Sequence, residues 1–301
     1  MTAPADLTPG TLWEQLQHRT ATALACGALQ PIPTEFTVLE DGGIHFLVRI
    51  VKNLVRKETA TAQQRQAAKQ GKPANPFLPY EDALFVGNLS PTHLCLLNKF
   101  NVVDHHLLVV TRAYESQEDW LTLADFTALA MTLKEIDGLG FYNGGRAAGA
   151  SQHHKHLQVV PFPFHPDKAT VPIAALIHPR SSTTAGMAPL PLPFHHGVLT
   201  LDLDWSQDAA AIAPILWESY RQLATHIGVD LKAERPNLPY NLLATRQWML
   251  VVPRSREDYQ GIPVNSLGYA GSLLVKTAAG LAHLKQIGPL NLLAAVGQPM
   301  A

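Results

Sequence analysis

The run Ser151-Gln152-His153-His154-Lys155-His156-Leu157-Gln158 gathers the side chains best suited to covalent chemistry. A neutral imidazole nitrogen can attack phosphorus and hold it as a phosphoramidate. The other ring nitrogen then needs an acceptor, which fixes the tautomer and steadies the developing positive charge. His154 to Val160 alternates in hydropathy and ends at Pro161 and Pro163, which predicts a strand. A period of two places His154, His156 and Gln158 on one face and turns His153 to the other. His156 is the candidate nucleophile, with His154 and Gln158 as flanking catalytic candidates. A glutamine amide offers a donor and an acceptor without acting as a base, so Gln158 suits a phosphate oxygen.

The segment Asn143-Gly144-Gly145-Arg146-Ala147-Ala148-Gly149-Ala150-Ser151-Gln152 leads into this strand. Small residues let backbone N–H groups approach an anion and cradle its oxygens. Ser151 adds a hydroxyl, Asn143 an amide and Arg146 a charge.

Other elements must position this pair. Leu7–Cys26 has helical apolar spacing, and Ile44–Val51 is β-branched and apolar enough for a strand. Thr92–Phe100 and His106–Thr111 read as strands. Leu121–Ile136 reads as a helix capped by Thr122, with Asp125 three residues on. Leu139–Asn143 is a short strand. Ala209–His226 is a helix, Pro239–Pro253 a strand pair and Ser266–Gln286 mostly helix. Thr59–Ala74 reads as a basic loop, either a solvated linker or a lid over polyphosphate. The expected organisation is an N-terminal region over residues 1–165, a Pro-rich linker or excursion over 166–195 and a C-terminal region over 196–301 that completes the same unit. Hairpins with intervening helices favour an α+β fold over a doubly wound parallel sheet.

A net charge of -1 over 301 residues argues against a nucleic-acid partner. No apolar run is long enough for a membrane span. Cys26 and Cys95 lack metal-ligand spacing, and Met1–Gly10 does not read as a signal peptide, so a cytoplasmic enzyme is expected. Three neighbouring histidines also suit a zinc site, but no cysteine or carboxylate stands close by in sequence. No metal site is expected. Mg²⁺ or another divalent cation can screen a polyphosphate, yet no carboxylate cluster marks a place for it.

The segment Phe141-Tyr142-Asn143-Gly144-Gly145 through Gly149 to Gln158 resembles the signature of diadenosine tetraphosphate (Ap4A) phosphorylases, or ATP adenylyltransferases. These form a branch of the histidine-triad (HIT-like) superfamily. Asn75–Pro79, Leu97–Phe100 and His106–Thr111 resemble the family's N-terminal part. Tyr240–Leu243, Thr245–Trp248 and Val252–Ser255 resemble its C-terminal part. The resemblance implies a HIT-like fold, an antiparallel sheet with helices packed on it, elaborated by a C-terminal region.

It also implies phosphorolysis of Ap4A. His156 attacks the α-phosphate and expels ATP, and inorganic phosphate then removes the AMP group as ADP. Ap4A, ATP, ADP, AMP and phosphate are the implied partners, and no covalent cofactor is required. Asn143, Gly149, Ala150, Ser151, Gln152 and Gln158 are implied as phosphate contacts. Lys57, Asn98 and Lys99 are implied as polyphosphate or nucleotide contacts, and Asn241, Thr245 and Arg246 are carried as nucleotide-binding candidates. Arg246 suits phosphate or a surface carboxylate, whereas Arg254 and Trp248 read as structural. Histidine-triad hydrolases carry a third histidine where this chain has Gln158, which favours transfer over hydrolysis. Alternatives are a sugar-nucleotide uridylyltransferase and a non-catalytic adenine-nucleotide module. The former tends to have Pro or Gly where this chain has Lys155 and Leu157. A monomer or a weak homodimer is expected.

Overall fold

The computed structural model describes residues 6–51, 75–164, 170–177 and 190–300. Helix α1 (Leu12–Ala25) buries Leu12, Leu16 and Ala23 along one stripe. Strands β1 (Thr34–Asp41) and β2 (Ile44–Val51) form a hairpin across Gly42-Gly43. Both turn residues have positive φ, 57° and 77°, as a two-residue hairpin turn demands. Strands β3 (Phe85–Asn88), β4 (His93–Leu97) and β5 (Leu107–Thr111) follow. Helix α2 (Leu123–Glu135) begins at Thr122, which forms the expected capping box with Asp125. Next come β6 (Gly138–Gly144), β7 (His156–Pro161) and β8 (Gly197–Thr200), then helix α3 (Ala209–His226). The chain continues through β9 (Tyr240–Ala244), β10 (Trp248–Pro253) and the two-residue strands β11 (Asp258–Tyr259) and β12 (Ile262–Pro263). It finishes with a short α4 (Ser266–Tyr269), β13 (Ser272–Val275), α5 (Ala278–Ile287) and α6 (Pro289–Val296).

Eight strands form one antiparallel sheet in the order β3-β4-β5-β7-β6-β9-β10-β8. N-terminal β6 lies directly beside C-terminal β9, so the two parts of the chain share this sheet. The fold is α+β. One sheet face is covered by α1, α2 and α3, which pack on Leu107, Val109, Leu157, Val159, Leu242 and Met249. The opposite face carries two apolar clusters. One gathers Phe77, Phe85, Leu94, Leu96, Leu108 and Val110. The other packs β2, β13, α5 and α6 over Leu139, Phe141, Val160 and Leu243. His156 and Gln158 lie between them, opposite Val110 and Leu108 on β5.

Two expectations change in detail. Ser266–Gln286 is mostly helix, as expected, but its helices α4 and α5 are separated by Ser272–Val275, which forms β13, parallel to β2. A short apolar run has no distinctive period, and here burial of Leu273 and Val275 beside β2 decides its form. The Pro-rich stretch does not simply cross the surface. Val171, Ile173, Leu190 and Leu192 are buried in the core.

Behind the site strand lies a buried ionic group. Lys155 Nζ contacts Glu115 at 2.5 Å and Asp125 Oδ2 at 3.6 Å. Asp125 Oδ1 also accepts from His93 Nε2 at 3.1 Å. Burial pushes the Asp125 carboxyl up, but His93, the Lys155 charge and the Thr122 N–H outweigh it and hold it below its ordinary value. The contribution of such a carboxylate is present above the unfolded pKa, ~4, and is lost as pH falls through the lower folded value. Asp125→Ala should therefore destabilise the protein by ~1–3 kcal/mol at pH 7, since it leaves buried His93 Nε2 without its acceptor and removes the Thr122 capping partner, while Lys155 keeps Glu115 and the Trp120 carbonyl. Urea unfolding should show this deficit, narrowing as pH drops below ~4.

Candidate active site

The candidate site is built at the N-terminal end of β7. Nδ1 of His156 lies 2.8 Å from the carbonyl oxygen of His154. A carbonyl only accepts, so Nδ1 carries the proton and the lone pair for attack is on Nε2. His156 is buried, and burial lowers its pKa to about 4; the His154 carbonyl opposes this and the His154 ring adds to it. The ring is therefore neutral at pH 7. Phe77 packs its ring against His156 at a centroid distance of 5.3 Å, which helps to exclude water.

His154 stands just outside β7, in an isolated bridge with Ser116. Its Nε2 donates to the Thr111 carbonyl at 2.8 Å, and its Nδ1 accepts from the Asn75 amide at 3.0 Å. Its ring is spent on holding these segments, and its carbonyl serves His156. His153 is exposed.

Gln158 is fixed by His106, which by sequence reads as a surface or strand-end histidine but is buried in the structure. His106 Nε2 donates to Gln158 Oε1 at 2.9 Å, and Asn98 Nδ2 donates to His106 Nδ1 at 3.2 Å. Burial lowers the His106 pKa to about 4, so the ring keeps its single Nε2 proton. With its oxygen occupied by His106, Gln158 has its NH₂ end to offer an anion. Asn98 thus acts through His106. Lys99 instead forms an ion pair with Glu81 at 2.6 Å. Lys57 lies outside the described residues.

The glycine loop closes on itself. Gly149 N–H donates to the Arg146 carbonyl and Ala150 N–H to the Gly145 carbonyl, so neither N–H is the open cradle expected. Ser151, which is exposed, and the half-buried Gln152 form the open end of the loop. Gly149 has φ +89°, and an added Cβ would stand 2.8 Å from the Val264 carbonyl oxygen. Only glycine fits there.

Asn143 lies at the end of β6 with its Oδ1 held by Asn241 Nδ2 (2.9 Å) and by the Ser266 N–H (2.9 Å) and hydroxyl (2.8 Å). Asn241 is fully buried, and it also donates to Ala148 O at 2.8 Å while accepting from Arg254 Nη1 at 2.6 Å. It supports the loop from beneath and has no polar atom left for a nucleotide. Arg254, 1% exposed, also reaches the carbonyls of Val296, Arg256 and Val264.

Thr245 and Arg246 sit at the far end of the sheet, in the β9–β10 turn. Ala244 pairs with Gly140 on β6, whereas Asn241 pairs with Asn143 beside the loop. Thr245 Oγ1 caps the N–H groups of Gln247 and Trp248. Arg246 donates to the Leu133 and Lys134 carbonyls at the end of α2, at 2.7 and 2.9 Å. The expectation that these two bind nucleotide is therefore corrected, because their hydrogen bonds serve the turn and the helix end. Gln117, buried against both β6 and His156, was also missed. Its sequence position, far from the histidine run, gave no signal.

Residues 2–179 match the family described as the Ap4A phosphorylase N-terminal domain, and residues 190–299 match the ATP adenylyltransferase C-terminal domain. The chain belongs to the Ap4A phosphorylase family. It is 28% identical to Protein APA1 of Saccharomyces cerevisiae, over 92% of this chain and 88% of that protein. It is 32% identical to diadenosine 5',5'''-P1,P4-tetraphosphate phosphorylase 2 of the same yeast, over 71% of this chain and 73% of that protein. The crystal structure of yeast Ap4A phosphorylase Apa2 superposes with a TM-score of 0.76 at 25% identity, covering 99% of this chain and 96% of that one. The Apa2 complex with AMP gives the same TM-score, 0.76. Among Ap4A phosphorylase relatives, then, this chain carries both family domains on the one shared sheet.

Gly149→Ala tests the loop. The clash and the positive φ should lower stability by ~1–3 kcal/mol, seen as a reduced melting temperature. An unchanged melting temperature would contradict the tight closure described above.

Proposed function

We propose that this chain catalyses the phosphorolysis of Ap4A to ATP and ADP through an AMP–histidine intermediate on His156. The observation that carries this reading is the Nδ1 contact of His156 with the His154 carbonyl at 2.8 Å, in a buried and neutral ring. In the first step Nε2 forms a bond to the α-phosphorus of Ap4A, and the P–O bond to the ATP leaving group breaks. The imidazole becomes cationic, and the His154 carbonyl accepts a stronger hydrogen bond from Nδ1. In the second step an oxygen of inorganic phosphate attacks the same phosphorus, the P–N bond breaks, and ADP leaves. His156 is returned neutral. Two in-line displacements retain configuration at phosphorus.

Gln158 suits this chemistry because its free NH₂ end can donate to a non-bridging oxygen and cannot serve as a base for water. The relatives support the substrate class: one is named for Ap4A phosphorolysis, and Apa2 has been solved with AMP. Among the described residues no group of three or more His, Cys, Asp or Glu could hold a metal ion. We read any divalent cation as arriving with the polyphosphate.

The test is chromatography of Ap4A incubated with phosphate. The protein should yield ATP and ADP in equal amounts, and His156→Asn should abolish turnover. Because only the neutral ring attacks and its pKa is lowered to about 4, adenylyl transfer should stay level from pH ~8 to ~6 and fall only below ~5. Wild-type turnover by His156→Asn would overturn the proposal.

A further inference from the structure

Strands β6 and β7 pair from Gly138↔Pro161 to Phe141↔Gln158, and the pairing stops there. Continuing the same register would set Asn143 opposite His156. In an antiparallel ladder, residues placed two apart along such a register repeat the same mutual N–H···O=C exchange. The structure fills that rung with a side chain instead. Gln117 Nε2 donates to the Asn143 carbonyl at 3.0 Å and to the His156 carbonyl at 3.3 Å. Gln117 Oε1 accepts the His156 N–H at 2.8 Å. A primary amide presents the same donor and acceptor as a peptide group, so it can stand in for a strand while holding the two backbones apart.

Gln117 is itself held rigidly. Its N–H donates to the His153 carbonyl at 2.8 Å, its carbonyl accepts from the Tyr142 hydroxyl at 2.5 Å, and the residue is 2% exposed. On its other edge β7 remains paired to β5 through Val110↔His156. The nucleophile's backbone is thus clamped from both sides, by β5 and by one inserted amide. The gap between β6 and β7 is the gap between the phosphate loop, which starts at Asn143, and His156.

We propose that Gln117 is a positioning residue for adenylyl transfer, whose side-chain amide replaces the missing β6–β7 rung and sets the separation of His156 from the phosphate loop. This rests on the reading that His156 takes the AMP group. The residue touches neither substrate nor the reacting atoms, so its effect should appear in the rate of the chemical step more than in nucleotide binding.

Gln117→Glu and Gln117→Met, compared with the wild-type protein, test this. The readout is the single-turnover rate of AMP-adduct formation from Ap4A, followed between pH 8 and 6, with the concentration dependence giving apparent affinity. A buried, ionised glutamate keeps an acceptor for the His156 N–H but cannot donate to the two carbonyls, and burial raises its pKa. The Gln117→Glu rate should fall at least about tenfold at pH ~8, with little change in apparent affinity. The ratio to wild type should recover toward pH ~6 as the carboxyl gains a proton and a donor. Gln117→Met keeps length and loses both functions, so it should be slow at every pH, without recovery. Wild-type rates in either variant would overturn the proposal, as would a Gln117→Glu deficit that is the same at every pH. If Gln117→Glu does not fold, the Gln117→Met rate decides alone. Failure of the wild-type protein to form any adduct would instead refute the function proposed above, and is distinguishable because it does not involve the variants.

Discussion

The hydrogen bond from His156 Nδ1 to the His154 carbonyl is the constraint around which the site is organised. It joins two residues of one strand end, so local backbone shape sets it. That shape depends on neighbours. His154 is tied by its ring to Thr111 and Asn75, and the His156 backbone is clamped by Gln117 and β5. Burial beside Phe77 then keeps the ring neutral. The result is a histidine whose tautomer is specified before any ligand arrives, which for the proposed attack by Nε2 is pre-organisation of the kind that lowers a barrier.

The C-terminal part of the chain reaches this site through a buried polar network. Arg254 just after β10, Asn241 on β9 and Ser266 on α4 converge on Ala148 and Asn143 of the loop. A guanidinium this deeply buried is tolerated because it donates to several carbonyls at once. Burial lowers its pKa, with Tyr269 and Glu257 acting in the opposite direction. Shared sheet and shared network join the two family domains at the loop: the N-terminal part carries the histidine strand and the loop, and C-terminal residues hold the loop from beneath.

The histidine strand, the glycine loop and the Thr122 cap were legible in the sequence because each rests on local spacing. The face shared by His156 and Gln158 followed from a period of two. Other features depended on contacts distant in sequence. His106 and Asn98 reach Gln158 only because β5 lies beside β7, and Gln117 reaches His156 from a loop. Asn241, Thr245 and Arg246 sit on one hairpin, and no pattern within it says which end meets the loop. Register decides this, placing Asn241 against Asn143 and carrying Thr245 and Arg246 to the other end. The strand at Ser272–Val275 escaped notice for the same reason, since its partner is β2.

The covalent intermediate is the central claim, and the intact mass of the protein tests it most directly. After incubation with Ap4A in phosphate-free buffer, the account predicts a gain of one AMP group, carried on His156 and discharged as ADP when phosphate is added. Consumption of Ap4A at full rate with no mass gain, or an adduct that phosphate leaves in place, would contradict it.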